Sequence, residues 1–319
     1  TIYKSGPALT QSLDSPAFIE NLGANIIMLA NNHMMDQDKE GCETSIRAFK
    51  EDTLIVGAGS FKDAYNLRVI EKDGIKVGLL CLVHKEFGAL GLDSKSSDYG
   101  TAWINHPLVN KTILNAKKEF DLLIVLPHAG VEDVVVPLPE WRARYKEFID
   151  MGADTVIASH PHTPQGWEEY NGRKIFYSLG NFFFQLFSNQ HGENWYKGLI
   201  VEMDIDEDMQ LSFEVHNTRF SETSLELDES TECKLYNDYL CELLNEEDKY
   251  WEYLNTTLKS LWIEYKLYLL RGLGAVAPTT DMHILSHAVY GLLKGPDIPM
   301  MLNNFQCESH RWAIERMLR

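Results

Sequence analysis

Three short apolar runs of this chain each lead into a histidine. Ile26–Ala30 runs into Asn31-Asn32-His33, Leu122–Leu126 into Pro127-His128, and Val156–Ala158 into Ser159-His160-Pro161-His162. Neutral imidazole ligates divalent ions such as zinc, manganese and iron, and an asparagine carbonyl completes a hard site. For any one of the three, a hydrogen-bonded loop histidine is the plain alternative. Open α/β sheets place their sites at the carboxyl ends of their strands. Three such ends in one sheet are therefore expected to converge on one edge, and metal binding is the chemistry that suits them. His160 and His162 flank Pro161, which favours a stiff, extended backbone. Alternate side chains of an extended segment share a face, so both rings are expected to reach one metal centre or two adjacent ions. A solvated loop pair is the other reading of this His-x-His.

The elements that must carry these residues alternate. Strands are expected at Asn25–Ala30, Asp121–Leu126, Thr155–Ala158, Ile175–Tyr177 and Gly198–Ile205, and helices at Gly41–Lys50, Pro107–Phe120 and Pro139–Met151. Leu67–Glu71 and Lys76–Val83 flank Asp73-Gly74, a strong hairpin signal. Near-continuous apolar strands between helices indicate an α/β fold. The character changes after about Phe220. Between 222 and 252 there are eleven acidic and two basic residues, net −9. Helical spacing continues over Leu235–Leu270, Asp281–Leu293 and Pro299–Leu318. The division expected is a domain over 1–221 and an acidic, mainly helical region over 222–319.

The 319 residues carry 47 acidic and 29 basic side chains, a formal charge of −18. A surface this acidic repels phosphate backbones, so nucleic acid is not an expected partner. Five scattered cysteines show no disulfide framework and no CxxC knuckle, which favours reduced, buried thiols. No apolar run approaches the roughly 20 residues of a membrane helix, and no signal peptide is visible. A cytoplasmic or cell-envelope location is expected. The chain begins with Thr, so membrane association is expected only through a segment ahead of it.

Four blocks together resemble a family: Leu29–Asp36 (LANNHMMD), His128–Glu132 (HAGVE), Ser159–His162 (SHPH) with Gln165, and Tyr177–Phe182 (YSLGNF). In order and rough spacing they look like the signature blocks of the CapA-type capsule and poly-gamma-glutamate synthesis proteins. Lys4-Ser5-Gly6-Pro7 looks like that family's KSGP segment, and the resemblance covers about residues 1–217. The family is similar to the calcineurin-like metallophosphoesterases. The resemblance therefore implies a four-layer αββα sandwich, N-terminally incomplete, followed by the helical appendage.

The resemblance also implies roles. Asn32, His128 and His160 would ligate one divalent ion and His162 another, with manganese, iron or zinc as the metal. His33 would face the substrate phosphate and donate a proton. Asp36 would orient His33, or equally cap a helix. Glu132 would stand near the site or face substrate, a plain surface glutamate being the alternative. Lys4 would contact an anionic substrate, or be a turn lysine at the surface. Asn181 is expected to bind substrate, or to take the structural role of a hydrogen bond near a metal-ligand loop. Three departures stand out. The family's GD and NLE-type blocks do not precede Lys4, its HWG tryptophan is Ala129 here, and the glycine usual after its ANNHxxD block is displaced to Gly41.

Weaker candidates are read structurally. Gly57-Ala58-Gly59 reads as a strand-to-helix turn before a helix at Phe61–Asn66, Phe182–Phe184 with Phe187 as core, and His283 and His287 as a packed or surface pair. The function implied is capsule or poly-gamma-glutamate biosynthesis with a metal-dependent phosphoesterase-type site. Its partner would be a phosphorylated small molecule or an anionic polymer. The alternatives are a non-catalytic polymer-handling scaffold on the same fold and a metal-dependent amidase acting on gamma-glutamyl polymers.

Overall fold

The computed structural model describes residues 2, 4, 6–184, 192–272 and 297–318. The protein is mixed α/β with helices towards its C-terminal end. It forms two compact units, each assembled from discontinuous segments. One comprises Thr1–Ala64, Val83–Ile104 and Leu254–Arg319; the other comprises Tyr65–Leu82 and Asn105–Tyr253.

The second unit is organised by a six-stranded sheet. Its order is Trp167–Tyr170, Arg173–Phe176, Thr155–Ile157, Leu122–His128, Ile75–Val83 and Arg68–Lys72. The two inner pairings that join Arg173–Phe176, Thr155–Ile157 and Leu122–His128 are parallel, and hairpins close both edges. Asp73 and Gly74 form the tip of one hairpin with φ of 53° and 82°. Two consecutive positive φ values are what a two-residue turn needs to match strand twist, and Asp-Gly supplies them cheaply. The helix Pro139–Asp150 buries Trp141, Tyr145, Phe148 and Ile149. Tyr145 stacks on Tyr177 with ring centroids 5.7 Å apart. Burying side chains of this size contributes roughly 1.5–3 kcal/mol each. A further antiparallel sheet runs Lys197–Ile205, Leu211–Phe220 and Leu225–Leu227.

Glu168 ties this unit together from within. It accepts from Arg142 at 3.0 Å, from Lys146 at 3.1 Å and from the Tyr177 hydroxyl at 2.5 Å. Arg142 also donates to the Leu244 carbonyl at the end of the helix Thr231–Asn245. Burial and the neighbouring Glu168 push the Tyr177 phenol well above its usual range.

The first unit contains a parallel pair, Ile26–Met28 with Leu54–Val56, and a three-stranded sheet of Ala58–Ser60, Tyr99–Ala102 and Ala89–Leu90. Met35, Cys42 and Ala58 pack together at its core.

Several expectations need correction. The helical stretch over Leu235–Leu270 is two helices, Thr231–Asn245 and Glu247–Gly272, interrupted at Glu246. Pro299–Leu318 is also two, Ile298–Gln306 and Glu308–Met317, interrupted at Cys307. Apolar period alone does not register a one-residue break. Gly57–Gly59 is not a turn into the helix. Ala58–Ser60 pairs with Tyr99–Ala102 as a strand before the helix Phe61–Tyr65. Phe182 and Phe183 are exposed rather than core. Phe187, His283, His287 and the stretch 281–293 lie outside the described residues. No described helix is long and apolar enough to cross a membrane.

Candidate metal centre

The strands Leu122–His128 and Thr155–Ile157 are parallel neighbours, so the residues that follow them emerge together. The pairing extends one step beyond the regular ladder, as an isolated bridge between His128 and Ser159. The Ser159 amide donates to the Pro127 carbonyl, and the Ala129 amide to the Ser159 carbonyl. These bonds fix the two histidine-bearing loops side by side. His128 Nδ1 lies 3.1 Å from Ser159 Oγ, and its Nε2 lies 3.2 Å from His160 Nδ1.

The Ser159–His162 segment is not extended, contrary to expectation. His160 has φ of +106° and His162 φ of +59°. Each such non-glycine residue costs on the order of 1–3 kcal/mol and persists only where the surroundings impose it. Two imposing contacts are visible. The Asp133 amide bonds the Pro161 carbonyl at 2.9 Å. Gly130 lies so near Pro161 that a Cβ there would meet Pro161 Cγ at 2.6 Å. The Gly of His-Ala-Gly-Val-Glu thus lets one loop close on the other. The bend still gathers the rings: the centroids of His160 and His162 are 5.9 Å apart, and those of His128 and His160 are 4.9 Å apart.

His162 is oriented by Asn181. Its Nδ1 lies 2.8 Å from Asn181 Oδ1, while Asn181 Nδ2 donates to the carbonyls of His162 and Trp195. Two carbonyl acceptors fix the amide's orientation, so Oδ1 must accept and His162 Nδ1 must carry the proton. The lone pair of His162 therefore resides on Nε2, the form a metal ligand needs. Trp195 and Phe184 wall the ring at 4.6 and 5.1 Å.

Glu132 is exposed, with an oxygen 4.0 Å from His160 Nε2, beyond hydrogen-bonding distance. One ligand atom each from Glu132, His160 and His162 all lie within 4.8 Å of one another. Donors held about 2.0–2.2 Å from a tetrahedral zinc-class ion lie roughly 3.3–3.6 Å apart. The donor set therefore fits a divalent ion once its side chains draw together.

The remaining expected residues belong to the first unit. Asp36 is buried and accepts from Lys4, from His33 Nδ1 at 2.7 Å and from the Leu9 amide at 2.7 Å. Burial pushes its carboxyl up, but hydrogen bonds from His33, Lys4 and Leu9 outweigh this and hold it below the usual carboxylate range. Asp36 thus orients His33. Gln37, not Asp36, is the N-cap residue of the helix Asp38–Arg47. Lys4 is no surface turn lysine, its side chain being only 6% exposed. Asn31 Oδ1 accepts from the His33 amide at 2.9 Å. Asn32 is buried and hydrogen-bonds Glu86. The three histidine-ended strands do not share one sheet, since Ile26–Met28 pairs with Leu54–Val56 instead. Alternation identifies a buried strand but not its partner. Trp195, which walls the His162 ring, was not singled out by residue type or spacing, and Ser159 entered only as part of the SHPH block.

Residues 2–186 match the model of the bacterial capsule synthesis protein PGA_cap family. The chain belongs to this family. It is 37% identical over 172 residues to the capsule biosynthesis protein CapA of Bacillus anthracis, covering 52% of this chain and 41% of that protein. It is 31% identical over 179 residues to the PGA biosynthesis protein CapA of Bacillus subtilis (strain 168), covering 55% and 47%. The matched stretch thus spans less than half the length of either relative. Among solved structures, the chain is similar to a 5′-nucleotidase from Candida albicans SC5314, at 15% identity and TM-score 0.36, covering 70% of this chain and 42% of that one.

Proposed function

We propose that this member of the PGA_cap family works in the synthesis of a capsule-type polymer such as poly-gamma-glutamate, through a metal-dependent, phosphoesterase-type hydrolase centre. One observation carries this reading: His128, His160 and His162 are gathered at adjacent strand ends, with His162 in the tautomer that offers Nε2. His128, His160 and His162 would hold the metal, with Glu132 at the rim. Manganese, iron or zinc suits the donors, and the resemblance implies two ions. When bound, such ions polarise a phosphoryl oxygen and supply an activated water. The resemblance implies that Asn32 ligates a metal and that His33 faces the substrate phosphate. Within their own unit, Asp36 holds the His33 ring by Nδ1, which suits a proton donor acting through Nε2. The substrate class is a phosphorylated small molecule or an anionic polymer.

Metal content of the purified chain, measured by elemental mass spectrometry, tests the reading. One or more equivalents of manganese, iron or zinc, lost in His160→Ala/His162→Ala, is the expected result. Metal content unchanged in a folded double variant would refute the ligand assignment. No metal in either protein after loading would favour a polymer-handling scaffold without a working centre.

A further inference from the structure

A fourth buried strand also runs into a histidine. Ile75–Val83 is buried from Val77 onward and ends at His84. Cys307, far along the chain, lies in the break between the helices Ile298–Gln306 and Glu308–Met317. We propose that His84, Glu86 and Cys307 form a second metal site that takes a zinc-class divalent ion.

The geometry supplies the donors. A ring nitrogen of His84, a carboxylate oxygen of Glu86 and Cys307 Sγ all lie within 4.8 Å of one another. His84 and Cys307 are 1% and 0% exposed. Nitrogen, oxygen and thiolate sulfur together suit zinc rather than magnesium or calcium. The charges suit it too. One carboxylate and one thiolate neutralise a divalent ion, and the imidazole adds none.

The surroundings hold the three groups in place. His84 Nδ1 lies 2.9 Å from Ser309 Oγ, which directs Nε2 towards Glu86 at 3.8 Å. Glu308 accepts from the Lys85 amide at 2.6 Å and from Trp103 Nε1 at 2.7 Å, fixing the start of the last helix against the His84 loop. Glu86 is bonded by Asn32 and Cys307, with His310 also near. Such outer contacts orient metal ligands. The Cys307 thiol must release its proton to the solvent as the ion binds. Residues 84–86 lie within the span matched to the family and Cys307 lies outside it, so the site joins the two parts of the chain.

Cobalt(II) titration of the whole chain tests this, because a thiolate ligand produces an intense near-ultraviolet charge-transfer band that nitrogen and oxygen ligands do not. The band is expected in the wild type, with about one proton released per ion at this site. It should vanish in Cys307→Ser and persist in His160→Ala/His162→Ala, which keeps this result separable from the centre proposed above. His84→Ala should weaken cobalt binding at this site more than tenfold. Absence of the band in the wild type would overturn the proposal whatever the variants do. So would its persistence in a folded Cys307→Ser, checked by circular dichroism, because another thiol would then be the ligand.

Discussion

Removing the Asp36 carboxylate tests how the histidine of the NNH block is held. Asp36 and Lys4 form an ion pair with side chains 1% and 6% exposed. Asp36→Ala leaves the Lys4 ammonium and the Leu9 amide without this acceptor. Breaking a buried pair from one side costs about 3–5 kcal/mol. Asp36→Asn keeps an acceptor for Leu9 and loses only the charge, so about 1.5–3 kcal/mol is expected. Removing both ends in Asp36→Ala/Lys4→Met should cost less than the sum of the single changes, by roughly 0.5–3 kcal/mol. Urea unfolding of the four proteins gives the cycle. The folded-state carboxyl lies below its ordinary value. Its contribution is therefore fully present above the unfolded pKa of about 3.9 and lost as pH falls through the folded value. The gap between wild type and Asp36→Asn should persist at pH 7 and close below about pH 4. Additivity within about 0.5 kcal/mol, or a gap independent of pH, would refute the pairing.

Asn181→Ala removes the group that fixes the His162 tautomer, and metal affinity should fall about 10–100-fold by calorimetry; unchanged affinity would mean His162 is no ligand. Gly180→Ala should destabilise by more than about 2 kcal/mol in urea unfolding, combining a left-handed backbone with overpacking. Gly180 has φ of +70°, and its Cβ would meet the Lys197 carbonyl oxygen at 2.6 Å. Tyr177→Phe removes one donor from buried Glu168, which keeps Arg142 and Lys146. A loss of about 1–2 kcal/mol is expected by the same assay, with metal content unaffected.

Much of this protein was legible in local sequence. The Asp73-Gly74 turn specified its hairpin, and a proline at the start of Pro107–Ala116 and of Pro139–Asp150 marked where each helix begins. The His128 and Ser159–His162 blocks came together because their strands are parallel neighbours. The rule of a buried strand running into a histidine applied equally to Val83-His84, but that pair carried no recognised motif around it. Its partner Cys307 lies over two hundred residues away, and no spacing rule links them.

By itself the sequence determined the family blocks, the α/β alternation and the residue types able to ligate a metal, because these depend on local pattern and on donor chemistry. Only the tertiary structure decided the pairing of Ile26–Met28 with Leu54–Val56, the burial of Lys4 against Asp36, and the left-handed bend that gathers His160 and His162. Strand partnership, burial of a charge and an imposed backbone strain each depend on contacts between distant segments. A side chain's type states what it can bind, whereas its neighbours in space settle which proton it holds and which way it faces.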